Sequence, residues 1–273
     1  MTRPLRLEVA HTSYLVSARA APTQTLFHTE ADYRCFLDLL ARSCRRYGWR
    51  VLAYALLPSS YQLLLTITSP NLATGMRYLH SAFTASLNRR VQRRGGLFRR
   101  RYEAVVVGPG SWLGDAAQRC LLAPWRAGLA SGAQDWSWTS YACLIGAQDA
   151  PDWLAVEDLL RALGPSAELA RASLLDLLDT TRQRREPPPQ PYRRCLGTPA
   201  FLSRLKAAAR AAGRADQAAR PALQPTALGL AHRRDAMLAA YAEGGYTQRE
   251  IASHFGVHAT TVSRAVSTPA RER

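Results

Sequence analysis

Lysine is all but missing from this chain. Lys206 is the only one in 273 residues, so the formal charge of +16 is carried almost entirely by arginine. Long apolar runs are missing too: the longest, such as Val51 to Leu57, have the length of a strand and fall far short of the roughly eighteen residues of a membrane span. Met1-Thr2-Arg3-Pro4-Leu5 lacks the apolar core of a secretory signal. The five cysteines (Cys35, Cys44, Cys120, Cys143, Cys195) are scattered, odd in number and never in a Cys-x-x-Cys pair. This argues for reduced thiols in a cytoplasm and against a disulfide framework or a zinc site. The six histidines include no pair separated by a single residue, and there is no internal repeat.

Arginine is abundant, and its distribution is uneven. A GC-rich genome enriches arginine without any functional reason. Between Gly75 and Tyr102, however, stand Arg77, Arg89, Arg90, Arg93, Arg94, Arg99, Arg100 and Arg101 with no acidic residue among them. A one-sign segment repels itself unless an anion lies against it, which points to nucleic acid rather than a merely solvated face.

The first part of the chain reads as alternating strands and helices. Leu5 to Ala10 and Ser13 to Ser17 are short strand candidates. Thr29 and Asp32 form a variant of the capping box, opening a helix whose Tyr33, Phe36, Leu40, Cys44 and Tyr47 recur at helical spacing until Gly48. Arg50 to Leu57 and Tyr61 to Thr68 are strands. Asn71 is the expected cap of a second helix with Leu72, Met76, Leu79, Phe83, Leu87 and Val91 on one face. Tyr102 to Val107 is another strand, and Ser111 is the expected cap of a helix running to Leu122 and stopped by Pro124. This order predicts an α+β fold, a ferredoxin-like sandwich with an antiparallel sheet and helices on one face, followed by an all-α region. The expected domains are 1–146, a Pro-interrupted helical connecting region 147–232, and a C-terminal module 233–273. In the connecting region Val156 to Leu163, Ala167 to Arg182 and Phe201 to Ala212 read as helices. Glu186 to Pro191 reads as a stiff linker and Pro221 to Pro225 as a second break.

Several pieces of the first 146 residues resemble the REP-associated tyrosine transposases, a bacterial group of the HUH single-strand DNA nucleases. They are Pro4-Leu5-Arg6-Leu7-Glu8, the Tyr14-to-Arg19 stretch, the strand around Ser60-Tyr61-Gln62, Gly95-Gly96-Leu97-Phe98-Arg99-Arg100-Arg101-Tyr102, Pro124-Trp125-Arg126-Ala127-Gly128-Leu129 and Trp138-Thr139-Ser140-Tyr141. The resemblance implies a metal-dependent DNA strand transferase using magnesium or manganese. Its four active positions, however, are all replaced. Ser60 and Gln62 stand where the family carries a His-x-His metal pair, Arg119 where it carries the attacking tyrosine, and Ala123 where it carries a third ligand, an asparagine. Residues four apart share a helix face, which is why nucleophile and ligand would converge there. A serine hydroxyl and a neutral amide oxygen are poor ligands for a hard cation, so no metal or other cofactor is expected. Tyr61 lies on the opposite strand face, Cys120 is an unsuitable nucleophile for phosphodiester transfer, and a guanidinium at Arg119 would bind a phosphate rather than cut it, unless it is a product of neutral drift.

The second signal lies between 233 and 266. Thr247-Gln248-Arg249-Glu250 is a capping box, Gly256 suits a left-handed turn, and a second helix follows from Ala259 to Val266. With Ile251, Ala252, Phe255, Val257, Val262 and Val266 as core, the pattern resembles the helix-turn-helix of recombinases. His258, Thr260, Ser263 and Arg264 would then face the major groove. A plain three-helix bundle shares the same core pattern.

Together these features predict a bacterial, cytoplasmic, nucleoid-associated DNA-binding protein related to transposition. Its first domain would grip single-stranded or hairpin DNA through Arg89, Arg90, Arg93, Arg94, Arg99, Arg100 and Arg101, its C-terminal module would dock on duplex, and its nuclease centre would be inactive. Two alternatives stay open: an active transposase with an unconventional centre or an active partner, and a transcriptional regulator acting through the C-terminal module alone. Oligomeric state is not legible, and no membrane partner is expected.

Overall fold

The computed structural model describes residues 7–184, Pro191, 195–219, 236–237, Tyr241 and 248–267. The chain forms two compact units, Met1–Ala209 and Arg210–Arg273.

The first unit is built on a five-stranded sheet. Strands β1 (Thr12–Arg19), β2 (Trp49–Leu57), β3 (Ser60–Ile67), β4 (Glu103–Val107) and β5 (Cys195–Leu196) lie in the order β2-β3-β1-β4-β5. The first four are antiparallel to their neighbours and β5 runs parallel to β4. With helices α1 (Glu30–Tyr47) and α2 (Leu72–Arg90), the order through β4 is the expected ferredoxin-like α+β arrangement. At the start of α1, Asp32 Oδ2 accepts the backbone N–H groups of Thr29 at 2.9 Å and His28 at 2.8 Å. At its end, Gly48 adopts a left-handed φ of 66° and closes the helix onto the Cys44 carbonyl.

Helices cover both faces of the sheet, not one. Tyr61 points into a cluster with Phe36 of α1, whose ring is 4.8 Å away and also packs on Phe83 of α2. On the opposite face the row Leu15–Leu64–Ala53 is as apolar as the first, and a sheet buried on both sides needs a second cover. Helix α3 (Ser111–Leu121) and the short α4 (Ala123–Arg126) provide it, with Cys120 against the Leu64 backbone and Ala123 against Ala55 and Leu57.

The boundary expected at 146 is not a structural one, because residues 147–209 belong to the first unit. After the short α5 (Tyr141–Ile145), helices α6 (Val156–Leu163) and α7 (Ala167–Arg184) pack on α3. At Gly114 of α3 an added Cβ would lie 3.2 Å from Leu163 and 3.6 Å from Leu177, so the missing side chain permits the close approach. The buried Gln118 amide of α3 donates to Thr181 of α7. Helix α8 (Pro199–Ala219) follows β5.

Other local expectations change as well. Leu7 to Ala10 is not a strand; Val9 N–H donates to the Tyr14 hydroxyl at 2.9 Å. Asn71 does not cap α2 with its side chain, which instead accepts from Trp49 Nε1 at 3.0 Å and donates to the Tyr47 carbonyl at 2.8 Å. Gly110, not Ser111, is the N-cap of α3. The linker Glu186–Gln190, the break at Pro221 to Pro225, Leu5 and Thr247 lie outside the described residues.

In the second unit, helices Gln248–His254 and Ala259–Ser267 meet at a turn in which Gly256 has φ 62°. Ile251, Ala252, Phe255 and Val262 bury one another with Met237. No helix among the described residues is long and apolar enough to cross a membrane.

Candidate nucleic-acid interface

Register and packing bring Ser60, Gln62 and Ala123 to one face of the first unit, with Arg119 one helical turn before Ala123. Gln62 pairs with Ala55 on one side and Ser17 on the other, and Ser17 in turn pairs with Glu103. Two residues along, Ser60 pairs with Leu57 and with Arg19. Side chains directly opposite across antiparallel strands share a face, so these residues surround Ser60 and Gln62 on the side away from Tyr61. Ala123 is buried against Ala55 and Leu57, the neighbours of Gln62 and Ser60. Leu122 joins α3 to α4: its N–H donates to Gln118 O at 2.9 Å and its carbonyl accepts Arg126 N–H at 2.9 Å. The helical path therefore continues, and Arg119, Ala123 and Arg126 follow one another at helical spacing.

This face offers the Ser60 hydroxyl and the neutral Gln62 amide, with an apolar Ala123 and the guanidinium of Arg119. A divalent cation needs several oxygen donors of negative character, and an arginine at its edge opposes it. No group of three or more His, Cys, Asp or Glu side chains with metal-binding placement occurs among the described residues. The neighbouring thiol and phenol are both buried. Burial pushes the Cys120 thiol up to about 12, leaving almost no thiolate at neutral pH. Tyr61 is fully buried on the other face, its hydroxyl pushed well above its ordinary pKa by burial and hydrogen-bonded to His80.

The arginine segment divides into braces and free cations. Arg90 pairs with the buried Asp32 and its Nη1 donates to Thr29 Oγ1 at 3.3 Å. Arg93 donates to Asn88 Oδ1 and to the Gly96 carbonyl, both at 3.1 Å, and so holds its own loop. Arg89 and Arg94 are exposed. Arg99, Arg100 and Arg101 line a cleft of about 360 Å³ with Ser17, Ala18, Arg19 and Glu103. The loop carrying them is fastened along β1: Arg99 N–H donates to Arg19 O at 3.0 Å and Ala21 N–H to Leu97 O at 2.9 Å. Phe98 stacks on His80 with ring centroids 3.8 Å apart, anchoring the loop on α2.

Two residues of this surface are not legible in the sequence. Arg19 joins the cleft because β1 pairs with β3 in a register that sets it beside Ser60. Arg126 stands seven residues after Arg119, and its Nη1 lies 3.5 Å from the Arg119 carbonyl. A basic residue at the end of a strand is the signal for the first; the helical spacing from Arg119 is the signal for the second.

In the second unit His258 precedes the last helix and caps it. Its Nδ1 shares a hydrogen bond with Thr260 Oγ1 at 2.9 Å, and its carbonyl accepts Thr261 N–H at 2.9 Å. Thr260 and Arg264 are exposed and Ser263 is half-buried, on the side away from the buried Val262.

No protein-family model matches the chain, and no curated protein matches it. Among solved structures it is similar to a REP-associated tyrosine transposase bound to a REP hairpin, at 13% identity and a TM-score of 0.48, over 57% of this chain and 92% of that one. It is also similar to a protein provisionally described as a transposase from Deinococcus radiodurans R1, at 16% identity and a TM-score of 0.31, over 39% of this chain and 87% of that one.

Proposed function

We propose that this chain is a transposase-related DNA-binding protein that grips a single-stranded or hairpin DNA end without cutting it. One observation carries the reading: the cleft formed by Arg19, Arg99, Arg100 and Arg101 shares Ser17 and Arg19 with the sheet rows of Ser60 and Gln62. The cationic groups thus border a face from which imidazole and tyrosine are missing. Guanidiniums are suited to backbone phosphates, and a surface with such groups but no nucleophile binds rather than reacts. The last helix, with Thr260, Ser263 and Arg264 beside the capping His258, is proposed to read duplex DNA in the manner of a helix-turn-helix. Such a protein would work at the bacterial nucleoid.

Fluorescence anisotropy with a labelled hairpin, together with a cleavage assay in magnesium or manganese, tests the reading. Binding that weakens steeply with salt and leaves the hairpin intact supports it. Metal-dependent cutting with a covalent protein–DNA adduct would instead establish an active transposase with an unconventional centre. Unchanged hairpin affinity after loss of Arg19, Arg99, Arg100 and Arg101 would overturn the cleft as the gripping surface.

A further inference from the structure

Arg126 lies outside the arginine cleft, and its surroundings do not suit a cation. Its Nε and Nη2 are buried without a hydrogen-bond partner among the described residues. Its remaining nitrogen, Nη1, reaches only the Arg119 carbonyl, at 3.5 Å. Burial, and then the like charge of Arg119, hold the Arg126 guanidinium below its ordinary pKa. Donors of a charged group that are buried and unmatched are costly, and like charge nearby adds to the cost.

The opposite wall of the same face carries a matching irregularity. Gln62 Oε1 is also buried without a partner among the described residues. Ala123, between Arg119 and Arg126 in the chain, packs on Ala55 and Leu57, the cross-strand neighbours of Gln62 and Ser60. The amide can turn over and present its N–H₂ where Oε1 stands. In that arrangement the amide adds a donor on the side of the two unmatched Arg126 nitrogens.

We propose that Arg126, supported by Arg119 and Gln62, is a binding site for a phosphate group. A tetrahedral oxyanion supplies both the negative charge and the acceptor atoms that Arg126 Nε and Nη2 lack, and the planar guanidinium fork engages two of its oxygens at once. The group comes either from a DNA backbone or from free phosphate, and only the DNA source rests on the function proposed above.

The test uses the full chain, melted in chloride and in inorganic phosphate at equal ionic strength. Phosphate is expected to raise Tm by about 2–4 °C, the shift of a site occupied several-fold above its dissociation constant. Arg126→Met is expected to melt in chloride at or above the parent protein, since it removes two buried, unmatched donors of a charged group, and to lose the phosphate shift. Arg119→Ala is expected to reduce that shift, and the triple change R99Q/R100Q/R101Q to keep it. A phosphate shift that survives in Arg126→Met, or its absence in the parent protein, overturns the site. So does an Arg126→Met protein that melts well below the parent or does not fold, which makes the guanidinium a structural element. With a hairpin oligonucleotide, an affinity loss of about tenfold in Arg126→Met identifies a DNA phosphate as the source. Unchanged hairpin affinity alongside a lost phosphate shift identifies free phosphate. A protein that binds no hairpin yet is protected by phosphate through Arg126 refutes the DNA reading and leaves this site standing.

Discussion

Arg90, the last residue of α2, closes onto Asp32 in the first turn of α1, where the Asp32 side chain is only 3% exposed and the Arg90 side chain 41%. The carboxylate is filled on both sides: Oδ1 takes the guanidinium, and Oδ2 takes two backbone N–H groups of the helix N-terminus. An arginine in a run that looks made for phosphate is therefore a strut between two helices.

Removing that strut is expected to destabilise the first unit without touching DNA binding. Arg90→Ala leaves a buried carboxylate with its backbone partners but no cation, a loss of about 1–3 kcal/mol once the exposure of the arginine is discounted. Urea unfolding should show a lower midpoint with an unchanged slope. The salt dependence of hairpin binding should stay as it is, and a flatter slope would place Arg90 on DNA after all.

The exposed arginines should behave in the opposite way. Neutralising Arg99, Arg100 and Arg101 one at a time to Gln is expected to flatten the log–log salt slope by roughly 0.7–0.9 for each phosphate left without its guanidinium. Their effect on thermal stability should be small, since surface changes of this kind usually stay within about 0.5 kcal/mol. Arg19→Gln belongs to the same group, because its side chain lines the same cleft. Anisotropy titrations across a salt series decide the matter.

Two aspartates are expected to respond to pH with opposite sign. The hydrogen bond from Arg50 holds Asp158 below its ordinary pKa, so the ionised form is favoured by folding. That stability is present above the unfolded pKa, about 3.9, and is lost as pH falls through the folded value. Asp158→Asn should therefore lower Tm at pH 7 and matter less in acid. Asp115 on α3 is raised above its ordinary pKa by burial, so its charge opposes folding at neutral pH. Asp115→Asn should raise Tm at pH 7, with the gain vanishing as pH falls below the unfolded value. Melting curves of the two variants between pH 3 and pH 8 would read both signs in one experiment.

Glycine to alanine inside a helix ordinarily stabilises by about 1 kcal/mol. Gly75, on α2, should do the reverse. A Cβ there would sit 2.2 Å from Cζ2 of Trp49, whose ring is pinned by the Nε1 hydrogen bond to Asn71. Overpacking of this kind costs roughly 1–3 kcal/mol, so Gly75→Ala should lower the unfolding midpoint. A raised midpoint would mean that the indole moves freely.

Arg264→Ala is expected to cost about 1–3 kcal/mol on a preferred duplex site if its guanidinium reads a guanine, and less on random duplex. Selection of sites from a random duplex pool, run with parent and variant, gives the comparison. An unchanged motif would make the last helix a packing element.

The local grammar of the chain carried much of the fold. The Thr29–Asp32 box, the apolar period and Gly48 define α1 because each acts within a few residues, and the strands β2 and β3 stand out as largely apolar runs of strand length broken at Pro58. What escaped was set at a distance. The two-residue strand Cys195–Leu196 has no run of its own and exists because β4 offers it an edge. The attachment of α6 and α7 depends on Gly114 and on the Gln118–Thr181 pair, neither of which has meaning before α3 is placed. The division of the arginines into struts and free cations likewise needed the partners: Asp32 for Arg90, Asn88 and Gly96 for Arg93. Ser60, Gln62, Arg119 and Ala123 were singled out in the sequence by a resemblance, whereas Arg19 and Arg126 became part of their surroundings only through strand register and the continuation of the helix.

The sheet's margins limit how copies of this chain can join. Along β2 the outer backbone is already occupied, with Leu56 N–H donating to the Trp138 carbonyl, Ser140 N–H to Tyr54 and Ala155 N–H to Val51. On the far side β5 occupies β4 at Val106 and Val107, leaving only Glu103 to Val105 without a strand beyond them among the described residues. That opening is too short to template a second sheet and begins at a carboxylate beside the arginine cleft. Among the described residues, edge-to-edge extension of this sheet therefore has only those three residues to start from.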